Sequence, residues 1–202
     1  MAGFSLKDLR ELSVLVIHAP DADGTALVDH LNRIGCRVEA QWPPPKRLPP
    51  KVDVLFVAIE RDLHKRVTRL LKRDAEEGPA VIAVVDYENP ATLQLVLETD
   101  SLAVIGKPVR PFGLLANLVT VRNAWLERAA LRRRIATLEA KIAGQKKVAK
   151  AKAILMDYQG LTEQEAYRSI RAQAMAKRMT MEAISEAIIN ANDLLQFRAK
   201  DG

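Results

Sequence analysis

The sequence has little from which to build a disulfide, a zinc site or a membrane span. Only Cys36 is a cysteine, so no intramolecular disulfide is possible, and no Cys/His cluster has the spacing of zinc ligands. No apolar run approaches the roughly 20 residues that cross a bilayer, and the segment Met1–Arg10 has charges among its apolar positions. We therefore expect a reduced, cytoplasmic protein with no metal and no membrane segment.

The motifs of common enzymes are missing too. The three histidines, His18, His30 and His64, are scattered over different predicted elements, and a lone histidine is more often a surface or core residue than a catalyst. The chain contains neither a glycine-rich phosphate loop nor a nucleophile elbow. We predict that the protein is not an enzyme and has no catalytic residues and no cofactor.

The positive charge of the chain is confined to its C-terminal part. The formal net charge is +6. Residues 1–120 contain 15 Lys and Arg against 16 Asp and Glu, whereas residues 121–202 contain 16 against 9. A polyanionic partner such as a nucleic acid should therefore dock on the C-terminal part. A basic surface that is merely solvated is the alternative.

The first 120 residues alternate short β-branched apolar runs with segments of helical period. This pattern is typical of a parallel sheet covered by helices on both faces. It predicts an α/β domain over residues 1–120 with a flavodoxin-like, five-stranded parallel sheet. The predicted strands are Leu12–Ile17, Cys36–Ala40, Val52–Ile59, Ala80–Val85 and Leu102–Ile105.

The connections between these strands have helix and loop signals. Apolar residues recur at helical spacing before Gly35 and again before Gly78, which predicts two helices that stop at glycine. Asn89 followed by Pro90 predicts the cap and first turn of a third helix. The segment 42–50 contains five prolines, so it should be a stiff loop leading into the third strand.

From Pro111 the helical pattern continues for about forty residues, longer than an ordinary globular helix. Within residues 121–145, isoleucine and leucine recur at the heptad spacing that favours parallel two-stranded pairing. The seam is short and is interrupted by Arg128, so packing of these residues onto their own chain is the alternative. We predict a coiled coil that joins two copies into a homodimer through Leu131, Ile135, Leu138 and Ile142.

The sequence after Gly144 predicts a small bundle of three helices over residues 146–202. The first runs from about Gln145 to Tyr158, the second opens with Thr162 and Glu165 spaced as a capping box, and the third opens near Thr180. The apolar face of the second helix is formed by Ala166, Ile170 and Ala174, and that of the third by Ile184, Ala187, Ile188 and Ala191.

The N-terminal domain resembles the receiver domains of two-component systems but lacks their phosphorylation chemistry. A receiver needs carboxylates after the first strand for Mg²⁺, an aspartate nucleophile after the third, a hydroxyl after the fourth and a lysine after the fifth. The matching residues here are His18 and Ala19, Ala58, Val85 and Lys107. Because alanine has no nucleophile, we predict no phosphorylation at Ala58.

Two acidic residues that follow the first strand invite a second interpretation. Asp21 and Asp23 could bind a cation, but residues in such positions more often cap the next helix. Lys107 would then do no more than pair with an acidic neighbour. We predict the capping role.

Residues 151–178 contain the most specific motif of the chain. It reads Ala151-Lys152-Ala153-Ile154-Leu155-Met156, then Gly160, Thr162, Glu163, Glu165-Ala166-Tyr167, Ile170-Arg171 and Ala174-Met175. This motif resembles the ANTAR domain, a three-helix RNA-binding module of bacterial antitermination regulators. Together with the receiver-like domain, the seam, and the stretches 33–36 and 42–45, it makes nearly the whole chain similar to the AmiR family of amidase-operon regulators.

The resemblance implies a function that composition alone does not reach. Members of this family bind hairpins of a nascent leader mRNA as dimers and so prevent a terminator from forming. The receiver-like domain is held by an amide-sensing negative regulator that resembles a periplasmic binding protein, and the inducer amide releases it. Ligand sensing thus replaces phosphorylation.

The resemblance also implies that the basic module contacts RNA. Hairpin loops expose bases that stack on aromatic rings or guanidinium planes, while Lys and Arg bind phosphates. For Tyr167 the alternative to stacking is a half-buried core ring, and for Lys152 the alternative is a salt bridge. The predicted RNA contacts are Lys147, Lys150, Lys152, Tyr167, Arg168, Arg171, Lys177 and Arg178.

Two other functional classes compete with RNA binding. A DNA-binding regulator of the response-regulator type would need a recognition helix rich in base-reading polar residues, whereas residues 181–190 are mostly apolar. A protein-interaction adaptor would use the receiver-like domain to hold a partner and the seam to dimerise. Such an adaptor would show no salt-dependent binding to nucleic acid.

Overall fold

A computed structural model describes residues 6–73, 78–86 and 90–198 of the chain. The chain divides into two compact units, residues 1–129 and 130–202, and the division falls inside its longest helix. The three-part division into residues 1–120, 121–145 and 146–202 stays a prediction.

The N-terminal unit confirms the predicted five-stranded parallel sheet, with strand order β2-β1-β3-β4-β5. The observed strands differ from the predicted ones by at most two residues at either end. The strands are β1 Ser13–Ile17, β2 Arg37–Ala40, β3 Val54–Ala58, β4 Ala80–Val85 and β5 Ala103–Gly106. A 3₁₀ helix, Leu6–Glu11, precedes them, and the helices of this unit are α1 Ala22–Ile34, α2 His64–Arg73, α3 Pro90–Leu97 and the first part of α4 Pro111–Gln159.

The sheet has an apolar core on each face. Successive side chains of a strand point to opposite faces, so Val14 and Val16 lie in one cluster with Phe56, while Leu15 and Ile17 lie in the other. Residues of α1 and α4 pack in the first cluster, and residues of α2 and α3 pack in the second. Burial on both faces explains why the strands are continuous apolar runs in the sequence.

Helix α1 begins and ends as its sequence predicts. The Asp21 side chain accepts a hydrogen bond of 2.8 Å from the Gly24 amide, which makes it the N-cap. Gly35 ends the helix with φ of +95°, in the left-handed region that glycine adopts without a Cβ penalty. The predicted cap at Asn89 falls on residues 87–89, and the predicted end of the second helix before Gly78 falls on residues 74–77. Both segments lie outside the described residues.

The connection from β2 to β3 is an irregular segment over residues 41–53 that contains no helix. This confirms the loop expected from the five prolines, which remove backbone donors and fix φ. Trp42 and Leu48 of this segment pack against the second apolar cluster. The loop therefore covers part of the sheet that a helix would otherwise cover.

Helix α4 runs without a break from Pro111 to Gln159, so the prediction of a separate helix after Gly144 is wrong. Gly144 is buried in the interior of the helix, and a Cβ atom there would lie 2.8 Å from Cγ of Glu182. Because glycine has no side chain, another helix can approach closely at this position, and α4 continues past it. A helix interior tolerates glycine at a cost of about 0.5–1 kcal/mol relative to alanine.

The C-terminal unit contains the rest of α4, followed by α5 Glu163–Lys177 and α6 Met181–Arg198. Its core is small, with Ala151, Ile170, Ala174 and Ile184 buried. The predicted face of α6 is partly wrong, because Ala187 and Ala191 are exposed while Ser185 and Asn192 are buried. The helix is turned so that residues 185 and 192, seven apart and therefore on one face, point inward.

Candidate nucleic-acid interface

Helix α5 begins with the capping box that its sequence predicts. The Thr162 hydroxyl accepts from the Glu165 amide at 3.4 Å, and the Glu165 carboxylate accepts from the Thr162 amide at 2.8 Å. The hydrogen bond from the Thr162 hydroxyl is the main cause that lowers the pKa of Glu165. These bonds satisfy amides that the first turn leaves without partners and fix where the following side chains point.

The buried face of α5 determines which residues face solvent. Ala166, Ile170 and Ala174 are buried, as expected. Tyr167 is 43% exposed, so part of its ring is open to solvent and available for contact. The exposed basic residues of this helix and its C-cap are Arg168, Arg171, Lys177 and Arg178.

Arg178 is held at the end of α5 by an unusual backbone. It is the C-cap residue with φ of +53° and ψ of +40°, and its amide donates to the carbonyl groups of Ala174 and Met175. Few residues other than glycine adopt this left-handed conformation. The cap therefore fixes the direction in which the chain leaves the helix at an exposed arginine.

The three lysines predicted on the preceding helix each pair with a carboxylate. The ammonium group of Lys147 lies 2.8 Å from Glu186, and that of Lys150 lies 3.8 Å from Asp193. The ammonium group of Lys152 lies 2.5 Å from Glu163. For Lys152 this is the intramolecular salt bridge weighed as the alternative to RNA contact. The carboxylates of these ion pairs are more than half exposed. Exposed ion pairs contribute little to stability, so another anion can replace the carboxylate.

A cavity of about 360 Å³ opens beside Tyr167 on the surface of the C-terminal unit. The Lys152 ammonium donates to the Glu163 carboxylate at its rim, and this bond is the main cause that lowers the pKa of Glu163. The cavity thus combines an aromatic ring, an amide, two cations and an ionised carboxylate. It is lined by Lys152, Glu163, Gln164, Tyr167 and Arg168.

The sequence reasoning missed the acidic members of this surface. The motif includes Glu163 without indicating a role for it, and Glu186 and Asp193 of α6 lie outside the motif. The spacing in the sequence gives no signal for these pairs, because Lys147 and Glu186 are 39 residues apart. Only the packing of α6 beside α4 brings them together.

The four residues of the predicted seam are exposed on α4. Side chains of this size are normally buried, and here about half of each is open to solvent. The exposed fractions are 60% for Leu131, 54% for Ile135, 51% for Leu138 and 52% for Ile142. These residues form an apolar stripe along α4 that the described residues leave about half open to solvent.

The carboxyl edge of the N-terminal sheet has the residues that the comparison with receivers predicted. Ala58 is the last residue of β3 and is buried. Lys107 follows β5, and its ammonium lies 3.9 Å from Asp21. The hydrogen bond from Gly24 is the main cause that lowers the pKa of Asp21, and the charges of His18 and Lys107 act in the same direction. Asp21 is thus a cap and an ion-pair partner, as predicted.

Two further acidic residues of this unit are engaged with its backbone and with α4. The Asp23 carboxylate accepts from the Val109 amide at 3.3 Å. The Asp53 carboxylate accepts from Arg122 at 2.6 Å and from the Ser13 amide at 3.0 Å. Arg122 also lies over the ring of Trp125 at 5.0 Å, in the geometry of a cation–π contact. These bonds fasten the first turns of α4 to the sheet.

Within the described ranges, no group of three or more His, Cys, Asp or Glu side chains is arranged to hold a metal ion. None of the helices placed in those ranges combines the length and apolarity that crossing a bilayer requires.

Two family models match this chain. Residues 12–122 match the N-terminal domain of AmiR, and residues 136–189 match the ANTAR domain. The first match covers the receiver-like sheet and the start of α4, and the second covers the seam residues from 138 onward, α5 and the first half of α6.

Curated relatives and solved structures are also similar. The aliphatic amidase regulator of Pseudomonas aeruginosa is 35% identical over 188 residues, which is 93% of this chain and 96% of that protein. The nitrate regulatory protein of Klebsiella oxytoca is 32% identical over 84 residues, covering 42% of this chain and 21% of its own length. A CheY-like receiver domain from Methanospirillum hungatei aligns with a TM-score of 0.47 at 16% identity, covering 58% of this chain and 98% of that domain.

The relative from Pseudomonas aeruginosa spans almost the full length of both proteins, and the two family models follow each other in the order expected from the sequence motifs. This chain therefore belongs to the AmiR family of antitermination regulators, in which a receiver-like AmiR N-terminal domain is followed by an ANTAR domain.

Proposed function

We propose that this protein is a dimeric RNA-binding antiterminator that binds hairpins in the leader mRNA of an amidase operon. A ligand-sensing protein partner, and not phosphorylation, controls it. The observation that carries the proposal is the exposed basic surface around Tyr167 on the ANTAR module, which coincides with the basic excess of residues 121–202.

The chemistry of that surface suits a single-stranded loop better than a duplex. Arg168 and Arg171 are exposed one turn apart beside a half-exposed tyrosine, and cations interleaved with an aromatic ring bind phosphates and unpaired bases together. The lysines of α4 add charge, because RNA phosphates can replace their exposed carboxylate partners.

The apolar stripe on α4 supports action as a dimer. Four aliphatic side chains at heptad spacing, each about half exposed, lose this exposure when two copies pair in parallel. Replacing Leu138 and Ile142 by asparagine should give monomers in sedimentation velocity. The control is the replacement of Leu194 and Leu195, two leucines of α6 that are exposed at 73% and 58%. A dimer that survives the first change would place the interface elsewhere.

Two observations on the N-terminal unit support control by a protein partner. Ala58 ends β3 where a receiver has its nucleophile, and alanine cannot accept a phosphoryl group. Helix α3 also exposes two leucines one turn apart, Leu93 at 55% and Leu97 at 76%. An exposed apolar face on a short helix is typical of a surface that a protein covers. We propose an amide-sensing negative regulator, related to periplasmic binding proteins, as that partner.

The test is the affinity of the full chain for a leader RNA with two hairpins, compared with one hairpin and with duplex DNA of matching sequence. We expect tight binding to the paired hairpins that weakens steeply with salt, through counterion release. Equal or tighter binding to the DNA would support a DNA-binding regulator instead.

The second candidate function is a protein-interaction adaptor without a role on RNA. The exposed leucines of α3 and the stripe on α4 favour it, because both are protein-binding surfaces by composition. An adaptor would bind none of the three nucleic acids in a salt-dependent way, so the same titration separates the two functions.

A further inference from the structure

The cavity beside Tyr167 combines a carboxylate with an aromatic ring. Glu163 opens helix α5, and its side chain is 69% exposed at the rim, next to Lys152. A carboxylate repels phosphate, so it weakens the attraction of the surface for an RNA backbone. It is useful only toward a group that donates hydrogen bonds.

Nucleobases provide such donors. Adenine and cytosine each have an exocyclic amino group on the edge that an unpaired base presents, and Glu is an acceptor for an amino group of this kind. A carboxylate has two oxygens with about four acceptor positions, so Glu163 can keep its bond from Lys152 and accept a second one. The lowered pKa of Glu163 keeps it ionised at neutral pH.

The other residues of the cavity complete a site for a single base. Tyr167 offers a ring for stacking, and the amide of Gln164 can both donate to and accept from a base edge. Lys152 and Arg168 supply charge for the neighbouring phosphates. The volume of about 360 Å³ lies within the range of roughly 300–1,000 Å³ of small-molecule pockets.

We infer that this cavity binds one unpaired nucleobase of the RNA loop and selects adenine or cytosine through the exocyclic amino group. Tyr167 stacks on the base, while Glu163 and Gln164 contact its edge. This inference rests on the proposed function and adds a specificity-determining residue, Glu163, to predicted RNA contacts that are all cations apart from Tyr167.

The experiment compares loops that differ by one amino group. Two-hairpin RNAs with the same stems receive adenosine or purine riboside in the loops, and a second pair receives cytidine or its analogue without the amino group. We expect the wild-type chain to bind at least one amino-bearing RNA about tenfold more tightly than its partner, because a well-placed edge contact discriminates by this order. In Glu163→Met this ratio should fall to near one.

A matched control separates base reading from charge. Glu186→Met removes an equivalent carboxylate that is paired with Lys147 but lies outside the cavity. Both variants should bind the RNAs without the amino group more tightly because a negative charge is gone, but only Glu163→Met should lose the tenfold ratio. Tyr167→Phe should keep the ratio, since its ring still stacks.

The outcomes distinguish the inference from the proposed function. If hairpins bind with the expected salt dependence but neither pair of loops shows a preference, or both variants keep it, the cavity does not read a base and the antiterminator proposal stands. If no hairpin binds at all, the proposed function fails and the inference fails with it.

Discussion

The two units of this chain bury apolar surface very differently. The N-terminal unit buries large side chains on both faces of its sheet, among them Phe56, Leu15 and Leu114 at no more than 2% exposure. In the C-terminal unit two of the four buried core residues are alanines, and several methionines and leucines stay exposed. A core of small residues contributes less, since stabilisation scales with the apolar area removed from water.

The two units also differ in how their charged side chains are bonded. In the N-terminal unit the charged residues of the carboxyl edge are tied to one another or to the backbone, as Asp21, Asp23 and Lys107 are. In the C-terminal unit the charged residues are exposed and paired only across the surface. The charged side chains of the first unit are therefore held in place by bonds, and those of the second are open to solvent.

The largest effect should come from the sheet core. We expect Phe56→Ala to lower the free energy of unfolding by about 3–5 kcal/mol, because the lost ring leaves a cavity that packed strands cannot fill. Urea unfolding followed by tryptophan fluorescence measures this, since both tryptophans, Trp42 and Trp125, lie in the N-terminal unit. The control Phe112→Ala removes a ring that is 84% exposed and should change stability by less than about 0.5 kcal/mol. Similar losses in the two variants would contradict the core assignment.

The next effect belongs to the exposed surface of the C-terminal unit. Reversing Arg171 and Arg178 to glutamate should lower RNA affinity by about 100-fold at low salt. The slope of log affinity against log salt concentration should become less steep by about two, because two phosphate contacts are lost. The melting temperature should change little, since both side chains are exposed. Reversing Arg66 and Arg69 on α2 alters the net charge equally and should have a much smaller effect on affinity. Equal losses in the two variants would mean that only net charge matters.

A smaller effect tests the start of α5. Thr162→Ala removes the capping hydroxyl and should destabilise the C-terminal unit by about 1 kcal/mol. Thermal unfolding followed by circular dichroism, together with amide exchange of the first turn of α5, measures the loss. Thr162→Ser keeps the hydroxyl and should behave like the wild type. If alanine and serine behave alike, the capping box does not contribute to stability.

The smallest effect is the pH dependence of the N-terminal unit. The folded state lowers the pKa of Asp21 below its usual 3.8, chiefly through the bond from Gly24. A carboxyl group with a lowered pKa stabilises the fold above its unfolded pKa, and this contribution disappears as the pH falls through the folded value. Because Asp21 is half exposed, solvent screening limits the effect to a few tenths of a kcal/mol. Acid unfolding of Asp21→Asn should be slightly less steep below pH 4 than that of the wild type, and an identical profile would contradict the linkage.

The elements of the N-terminal unit were predictable because their signals are local. Strand β4 matches the predicted Ala80–Val85 at both ends, since a buried parallel strand is an apolar run that polar residues and turns delimit. The caps at Asp21, Gly35 and Thr162 are equally local, because each acts within four residues.

The errors arise where a residue responds to a distant part of the chain. Gly144 resembles a helix stop in the sequence, yet its lack of a side chain serves α6, some forty residues later. The exposed face of α6 was misjudged for the same reason, since Ser185 points inward only because of the helices beside it. The partners of Lys147 and Lys150, and the cavity at Tyr167, also depend on tertiary packing that no local spacing encodes.

The close approach at Gly144 links two positions in the evolution of this family. Any larger residue at 144 gains helix propensity but meets Cγ of Glu182 at 2.8 Å, so it becomes acceptable only with a shorter or displaced side chain at 182. The two sites therefore constrain each other's substitutions although neither lines the cavity at Tyr167. Homologues should change them together, and a chain in which position 144 has diverged alone would have to move the side chain of residue 182 away from α4.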